Sequence, residues 1–125
     1  MASPELVELA TQFVTHYYTQ FDADRKTLVG LYRDASVMTF QEQPSAGAAA
    51  IGQKLEQLPF QKVVHKFTPP DVQPTSNGGV LIAVLGQLVV DDGETPLNFS
   101  QIFILAKDQA GSWYVQNDIF KLVVF

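Results

Sequence analysis

Three carboxylates fall close together in the stretch Gly86-Gln-Leu-Val-Val-Asp-Asp-Gly-Glu-Thr-Pro-Leu-Asn-Phe99: Asp91, Asp92 and Glu94. Apolar runs flank them, so the pattern predicts two strands joined by an acidic turn. Like charges this near one another are tolerated where water screens them. Such a turn is either a solvated tip that keeps a hairpin soluble, or a docking site at which fixed negative charge orients a basic partner beside apolar surface. Only His16 and His65 supply imidazole, they fall in different predicted elements, and the chain has no cysteine, so neither a zinc site nor thiol chemistry is expected. His65 sits on the apolar side of a short alternating segment, where an imidazole is either a hydrogen-bonded structural group or a general base. Asp118 interrupts an apolar strand and is either paired with a base such as Arg25 or Lys121 or is a functional acid.

The elements that must position these residues run helices first, strands afterwards. Ser3, Pro4 and Glu5 form a helix start, with a hydroxyl cap, a proline in the first turn and a carboxylate at the positive end of the dipole. Leu6, Leu9, Ala10, Phe13, Tyr17 and Phe21 then recur at helical spacing until Asp22-Ala-Asp24 breaks the pattern. Asp24 can cap a second, shorter helix through Leu28, Leu31 and Tyr32, and Ser36 to Phe40 reads as extended. Gln41 to Gly47 is loop chemistry, and Ala48 to Leu58 is a third helix that Pro59 ends. From Lys62 the period changes to two, with Val63, His65 and Phe67 on one side. Long strands are predicted at Val80 to Val90, Leu97 to Lys107 and Trp113 to Val124, linked by short turns.

Helices followed by a meander of strands is the α+β pattern, here one domain over residues 1–125 with three helices in the N-terminal half packed on one face of a bent antiparallel sheet. The Val80 to Leu85 run lacks polar alternation, and in the last strand Trp113, Val115, Ile119 and Val123 oppose an equally apolar set, so the sheet should be covered on both sides. Three helices cover one face; a second copy of the chain is the expected cover of the other, with Ile119 in the interface. A bent sheet closed by helices leaves a pocket, for which Phe40, Leu58, Phe60, His65, Leu88, Leu97, Phe99 and Phe120 are candidate walls or simple core.

Composition narrows the function classes. The formal charge is -5 and the eight Lys and Arg are scattered, so no basic stripe exists for nucleic acid. No apolar run approaches the ~20 residues of a membrane-spanning helix, and Met1 to Leu6 lacks the basic start and apolar core of a signal peptide. An intracellular, soluble protein without cofactor or metal is expected.

The segments His16-Tyr-Tyr-Thr-Gln-Phe-Asp-Ala-Asp-Arg25, Leu31-Tyr-Arg-Asp-Ala-Ser36, Met38-Thr-Phe40, Lys54-Leu-Glu-Gln-Leu-Pro-Phe-Gln-Lys62, Gln73-Pro-Thr75, Phe99-Ser-Gln-Ile-Phe103 and Asn117-Asp-Ile-Phe-Lys-Leu122 occur in the order and spacing of one family. Over nearly its whole length the chain resembles nuclear transport factor two. The resemblance implies a cone-shaped α+β fold of the nuclear transport factor two-like or cystatin-like kind and a homodimer joined through the outer sheet faces. It further implies import of the GDP form of the small GTPase Ran through pores lined by Phe-x-Phe-Gly nucleoporin repeats, with residence in cytoplasm and nucleus and enrichment at the pore.

Carried onto these residues, the resemblance puts Asp91, Asp92 and Glu94 at the Ran site, with an aromatic residue of Ran entering the apolar cavity. Relatives carry Thr-aromatic-Glu where this chain has Thr39-Phe40-Gln41, which moves the expected carboxylate to Glu42. Leu6 stands where relatives carry an aromatic residue that binds repeat phenylalanines, and Pro44-Ser45-Ala46 is unlike the corresponding loop. Two alternatives remain. One is an isomerase or dehydratase of the same cone fold, as in ketosteroid isomerase and scytalone dehydratase, using His65 with Tyr18, Tyr114 or Asp118. The other is a dimeric scaffold for a different protein client.

Overall fold

The computed structural model describes residues 2–124. The first helix, α1, spans Pro4–Ala23; the Ser3 hydroxyl accepts from the Leu6 amide at 3.2 Å and Pro4 opens the first turn. Ala10, Val14, Tyr17, Tyr18 and Phe21 form its buried face. Asp24 ends α1 in extended conformation and its side chain caps a 3-10 helix, Arg25–Leu31, by accepting from the Lys26 amide. The second α-helix, α2, spans Ala48–Glu56 and buries Ile51 and Leu55.

Seven strands follow the order of the chain: β1 Tyr32–Phe40, β2 Gln43–Ala46, β3 Val63–Phe67, β4 Asp71–Pro74, β5 Val80–Val90, β6 Leu97–Lys107 and β7 Trp113–Leu122. They form one sheet in the order β2-β1-β7-β6-β5-β3, with β4 also on β5. The sheet is mixed rather than wholly antiparallel, because β1 pairs with β7 in parallel. Sequence periodicity is silent on that pairing, which joins residues far apart in the chain. Two short strands also lie where the sequence pattern predicts none, the first of them within the Gln41 to Gly47 loop segment. Gln43–Ala46 folds back on β1 and Asp71–Pro74 extends the edge beside β5, each holding a proline that an edge strand tolerates.

Two irregularities shape the sheet. Gly86, opposite Phe67, has no room for a side chain: a Cβ there would strike the Lys66 carbonyl and lie 2.9 Å from the Phe99 ring. Between β6 and β7 the register slips, since Ile104 faces Asn117 whereas Leu105 faces Val115. The extra residue on β7 is Gln116, a bulge that reverses the side-chain phase. Val115, Asp118 and Phe120 therefore point inward while Ile119 is 49% exposed. The expectation that Val115 and Ile119 share a face fails for this reason.

The core lies between the inward face and the helices. Phe99, Phe103, Leu105, Ile82 and Val84 pack beneath Tyr17, Tyr18 and Val14. On the other face a row runs across four strands, Thr39, Ile119, Ile102 and Ala83, with Leu85 beyond it at 62% exposure.

Candidate functional site: an apolar cavity with an acidic mouth

The inward ends of β5, β6 and β7 and the loop after α2 enclose a cavity of about 160 Å³ lined by Phe40, Phe60, Leu88, Val90, Leu97, Phe120 and Leu122. Phe40 and Phe120 face each other across β1 and β7 and stack at 4.6 Å with planes 6° apart. Stacked rings present broad apolar faces at little conformational cost. The Arg25 guanidinium fixes the opposite wall, donating to the Leu55 carbonyl at 3.1 Å and the Phe60 carbonyl at 2.7 Å while lying 5.3 Å from the Phe60 ring centre.

Five of the eight expected wall residues line this cavity. Leu58, His65 and Phe99 lie outside the lining. Phe99 is 1% exposed and packs its ring between Phe120 and His65. Leu58 is also buried. The His65 side chain is 2% exposed: its Nδ1 lies 2.6 Å from Asp22 Oδ1, its backbone amide donates to Asp22 Oδ2, and its ring stacks on Tyr18 at 4.5 Å. A double tether of this kind locks the end of α1 onto β3, which is the structural alternative for His65. Val90 and Leu122 were missed because both fall at strand ends, where alternation gives no facing.

Two turns border the lining at its mouth, one directly after Val90 and one directly after Phe40. In one, Asp91 and Asp92 have φ of 51° and 57°, and the Gly93 amide donates to the Val90 carbonyl at 2.9 Å. Asp91 is not a free rim charge: its Oδ1 accepts from the backbone amides of Gln61 at 2.9 Å and Lys62 at 3.0 Å, which holds its carboxyl below the usual carboxylate range. Asp92 receives the Lys62 ammonium at 2.7 Å, and Glu94 is exposed. In the second turn, Gln41 and Glu42 have φ of 49° and 72°. Gln41 Oε1 accepts from the Leu122 amide at 2.7 Å, while the exposed Glu42 carboxylate lies 3.6 Å from Lys121.

Asp118 is not paired with Arg25 or Lys121, since Arg25 is committed to backbone carbonyls and Lys121 faces Glu42. It is 1% exposed and accepts from Tyr32 at 2.7 Å, Gln101 Nε2 at 2.7 Å and Tyr17 at 3.3 Å. Tyr18 in turn donates to Gln101 Oε1 at 2.7 Å. Burial pushes the carboxyl up to about 6, and the three donors partly offset it. The signal for this cluster was Gln101, an inward polar residue between Phe99 and Phe103 that could not be buried without partners. Leu6, on the first turn of α1, is half-buried against the core. Among the described residues, no group of three or more His, Cys, Asp or Glu is placed to hold a metal ion, and no helix is long and apolar enough to cross a membrane.

Comparison with known proteins agrees with this architecture. Residues 9–122 match the profile of the Nuclear transport factor 2 (NTF2) domain. The Nuclear transport factor 2 of Neurospora crassa is 57% identical over 122 residues, 98% of each chain, and that of Candida glabrata is 51% identical over 115 residues, 91% of each chain. The solved structure of nuclear transport factor 2 from Cryptosporidium parvum superimposes with a TM-score of 0.90 at 37% identity, covering 98% of each chain. With the family profile spanning most of its length and relatives this similar over nearly all of it, the chain belongs to the nuclear transport factor 2 family.

Proposed function

We propose that the chain is a non-catalytic nuclear import carrier for the GDP form of the small GTPase Ran. The observation that carries this reading is the apolar cavity, whose lining residues Val90 and Phe40 lead directly into the segments that hold Asp92 with Glu94 and Glu42. An aromatic side chain of the partner would fill the cavity between the Phe40, Phe60 and Phe120 rings, and the rim carboxylates would hold basic groups around it. Asp91 supports the rim by shaping its backbone rather than by presenting free charge. The cavity wall carries no ionisable side chain, and His65 and Asp118 are engaged beneath it. That separation favours adhesion over the isomerase or dehydratase alternative.

The carrier works as a homodimer through the outward row around Ile119 and Ile102, docks Phe-x-Phe-Gly nucleoporin repeats near Leu6, and divides its time between cytoplasm and nucleus. It is a single unit over residues 1–125 and takes no cofactor. Ran loaded with GDP or with a GTP analogue tests the reading: selective capture of the GDP form is expected, and capture of neither form sinks it. For the dimer, Ile119→Glu places a charge in the interface and should shift sedimentation to monomer or insoluble protein. An unchanged dimer would refute that assignment.

A further inference from the structure

Lys62 stands between the acidic turn and anything basic that approaches it. Its ammonium lies 2.7 Å from Asp92 Oδ1, and both side chains are mostly exposed, at 61% and 76%. Many surface ion pairs of this kind are accidents of a flexible lysine. Here the lysine backbone is gripped. Asp91 Oδ1 accepts from the amides of Gln61 and Lys62, and the Asp91 amide donates to the Lys62 carbonyl at 2.8 Å. The grip joins the strand entry directly after Phe60, a cavity wall, to the turn that carries Asp92. The same residue that shapes the turn thus aims the lysine at its neighbour.

The charges available to a partner are therefore fewer than the sequence suggests. Asp91 is occupied by backbone amides, Asp92 by Lys62, and only Glu94 of the three carboxylates has neither a hydrogen bond nor an ion pair among the described residues. We propose that Lys62 is an internal counter-ion for Asp92 and sets the specificity of the mouth, releasing this carboxylate to a partner cation only when the partner also fills the cavity. This inference rests on the carrier reading and deepens it. Exchanging the Lys62 ammonium for another mobile ammonium replaces one exposed ion pair by a similar one, with little net gain. A stray polycation therefore profits little from Asp92. A partner anchored by an aromatic ring holds its cation in place at no further ordering cost, so the exchange favours it. The hydrogen bond to Asp92 raises the affinity of Lys62 for its proton, the direction expected of an ammonium held by a carboxylate.

The test compares wild type, Lys62→Gln, Asp92→Asn and the double variant for binding to GDP-loaded Ran and to an oligolysine peptide that has no aromatic residue. Lys107→Gln serves as a control with the same charge change at the far end of β6. Lys62→Gln should bind Ran about two- to fivefold more tightly, the range expected for freeing one exposed pair. Its affinity for oligolysine should rise by a larger factor, narrowing the preference for Ran. Both gains should vanish in the Asp92→Asn background, and Lys107→Gln should show neither. Equal or weaker Ran binding by Lys62→Gln overturns the inference, because Lys62 would then be inert or a direct contact. A gain that persists without Asp92, or that Lys107→Gln reproduces, also overturns it by reducing the effect to net charge. Should wild type fail to bind Ran, the carrier reading falls. The oligolysine comparison then still decides whether Lys62 shields Asp92.

Discussion

Phe120 and Asp118 are two residues apart on the inward side of β7, and each anchors a different kind of region. Around Phe120 the chain is apolar and open to solvent through the cavity mouth; around Asp118 it is polar and sealed beneath α1. A protein that reacts with small molecules places its ionisable groups where a substrate reaches them. Here reach and ionisability are separated. The open region can offer adhesion and the charges on its rim, while the sealed one specifies how α1, β1, β6 and β7 meet. This division is the physical reason for reading the site as a grip.

The comparison breaks most visibly at Gln101. Replacing it by leucine leaves Asp118 Oδ1 without its 2.7 Å donor and the Tyr18 hydroxyl without its acceptor. Gln101→Leu should lose about 3 kcal/mol of stability in urea unfolding, with partner binding per folded molecule unchanged. A neutral result would mean that the cluster is not specifying the core.

A second perturbation sharpens the electrostatics. Burial raises the folded Asp118 carboxyl to about 6, above the 3.8 of the free group, so its favourable contribution is fully present below that lower value and is lost as pH rises through 6. Asp118→Asn keeps the acceptor for Gln101 and can donate to a tyrosine oxygen without carrying charge. Relative to wild type, the variant should gain on the order of 2–3 kcal/mol between about pH 4 and pH 7. A difference that stays flat with pH would show that the carboxyl titrates normally in the fold. Asp91 and Asp108 act in the opposite sense, since their lowered carboxyls lose their contribution on acidification, and both are common to the two proteins and cancel.

The smallest expected effect lies at the rim. Asp92→Lys should leave the melting temperature near wild type because the side chain is exposed, while capture of GDP-loaded Ran falls about tenfold or more. The wild-type interaction should weaken as salt screens the rim. Stability loss with binding intact would reverse the assignment of the two regions.

What the sequence disclosed follows from how local each signal is. β5 and β6 begin and end where expected, at Val80–Val90 and Leu97–Lys107, because Asn77-Gly-Gly and Asp91-Asp-Gly punctuate long apolar runs. The cap of α1 at Ser3 was equally legible. β2 and β4 were not, since each has four residues, a proline and little burial, and exists only through its neighbour. The Gln116 bulge hid the inward turn of Asp118, because a strict period of two puts Val115 and Ile119 together. The cavity was half legible: aromatic residues marked the region, but facing at strand ends and the depth of Phe99 and His65 depend on sheet curvature. Asp91 was recognisable as a carboxylate, whereas its grip on the Gln61 and Lys62 amides is a relation between loops thirty residues apart.

The two turns at the cavity mouth hold Gln41, Glu42, Asp91 and Asp92, which are the non-glycine residues with positive φ among those described. Each residue of this kind carries strain of roughly 1 kcal/mol that glycine would relieve. At Glu42 and Asp92 that relief would delete a carboxylate from the mouth. Selection for heat resistance alone would thus enrich glycine at those positions and blunt the grip, so a thermostabilised version of this chain should be screened for binding before it is used as a scaffold.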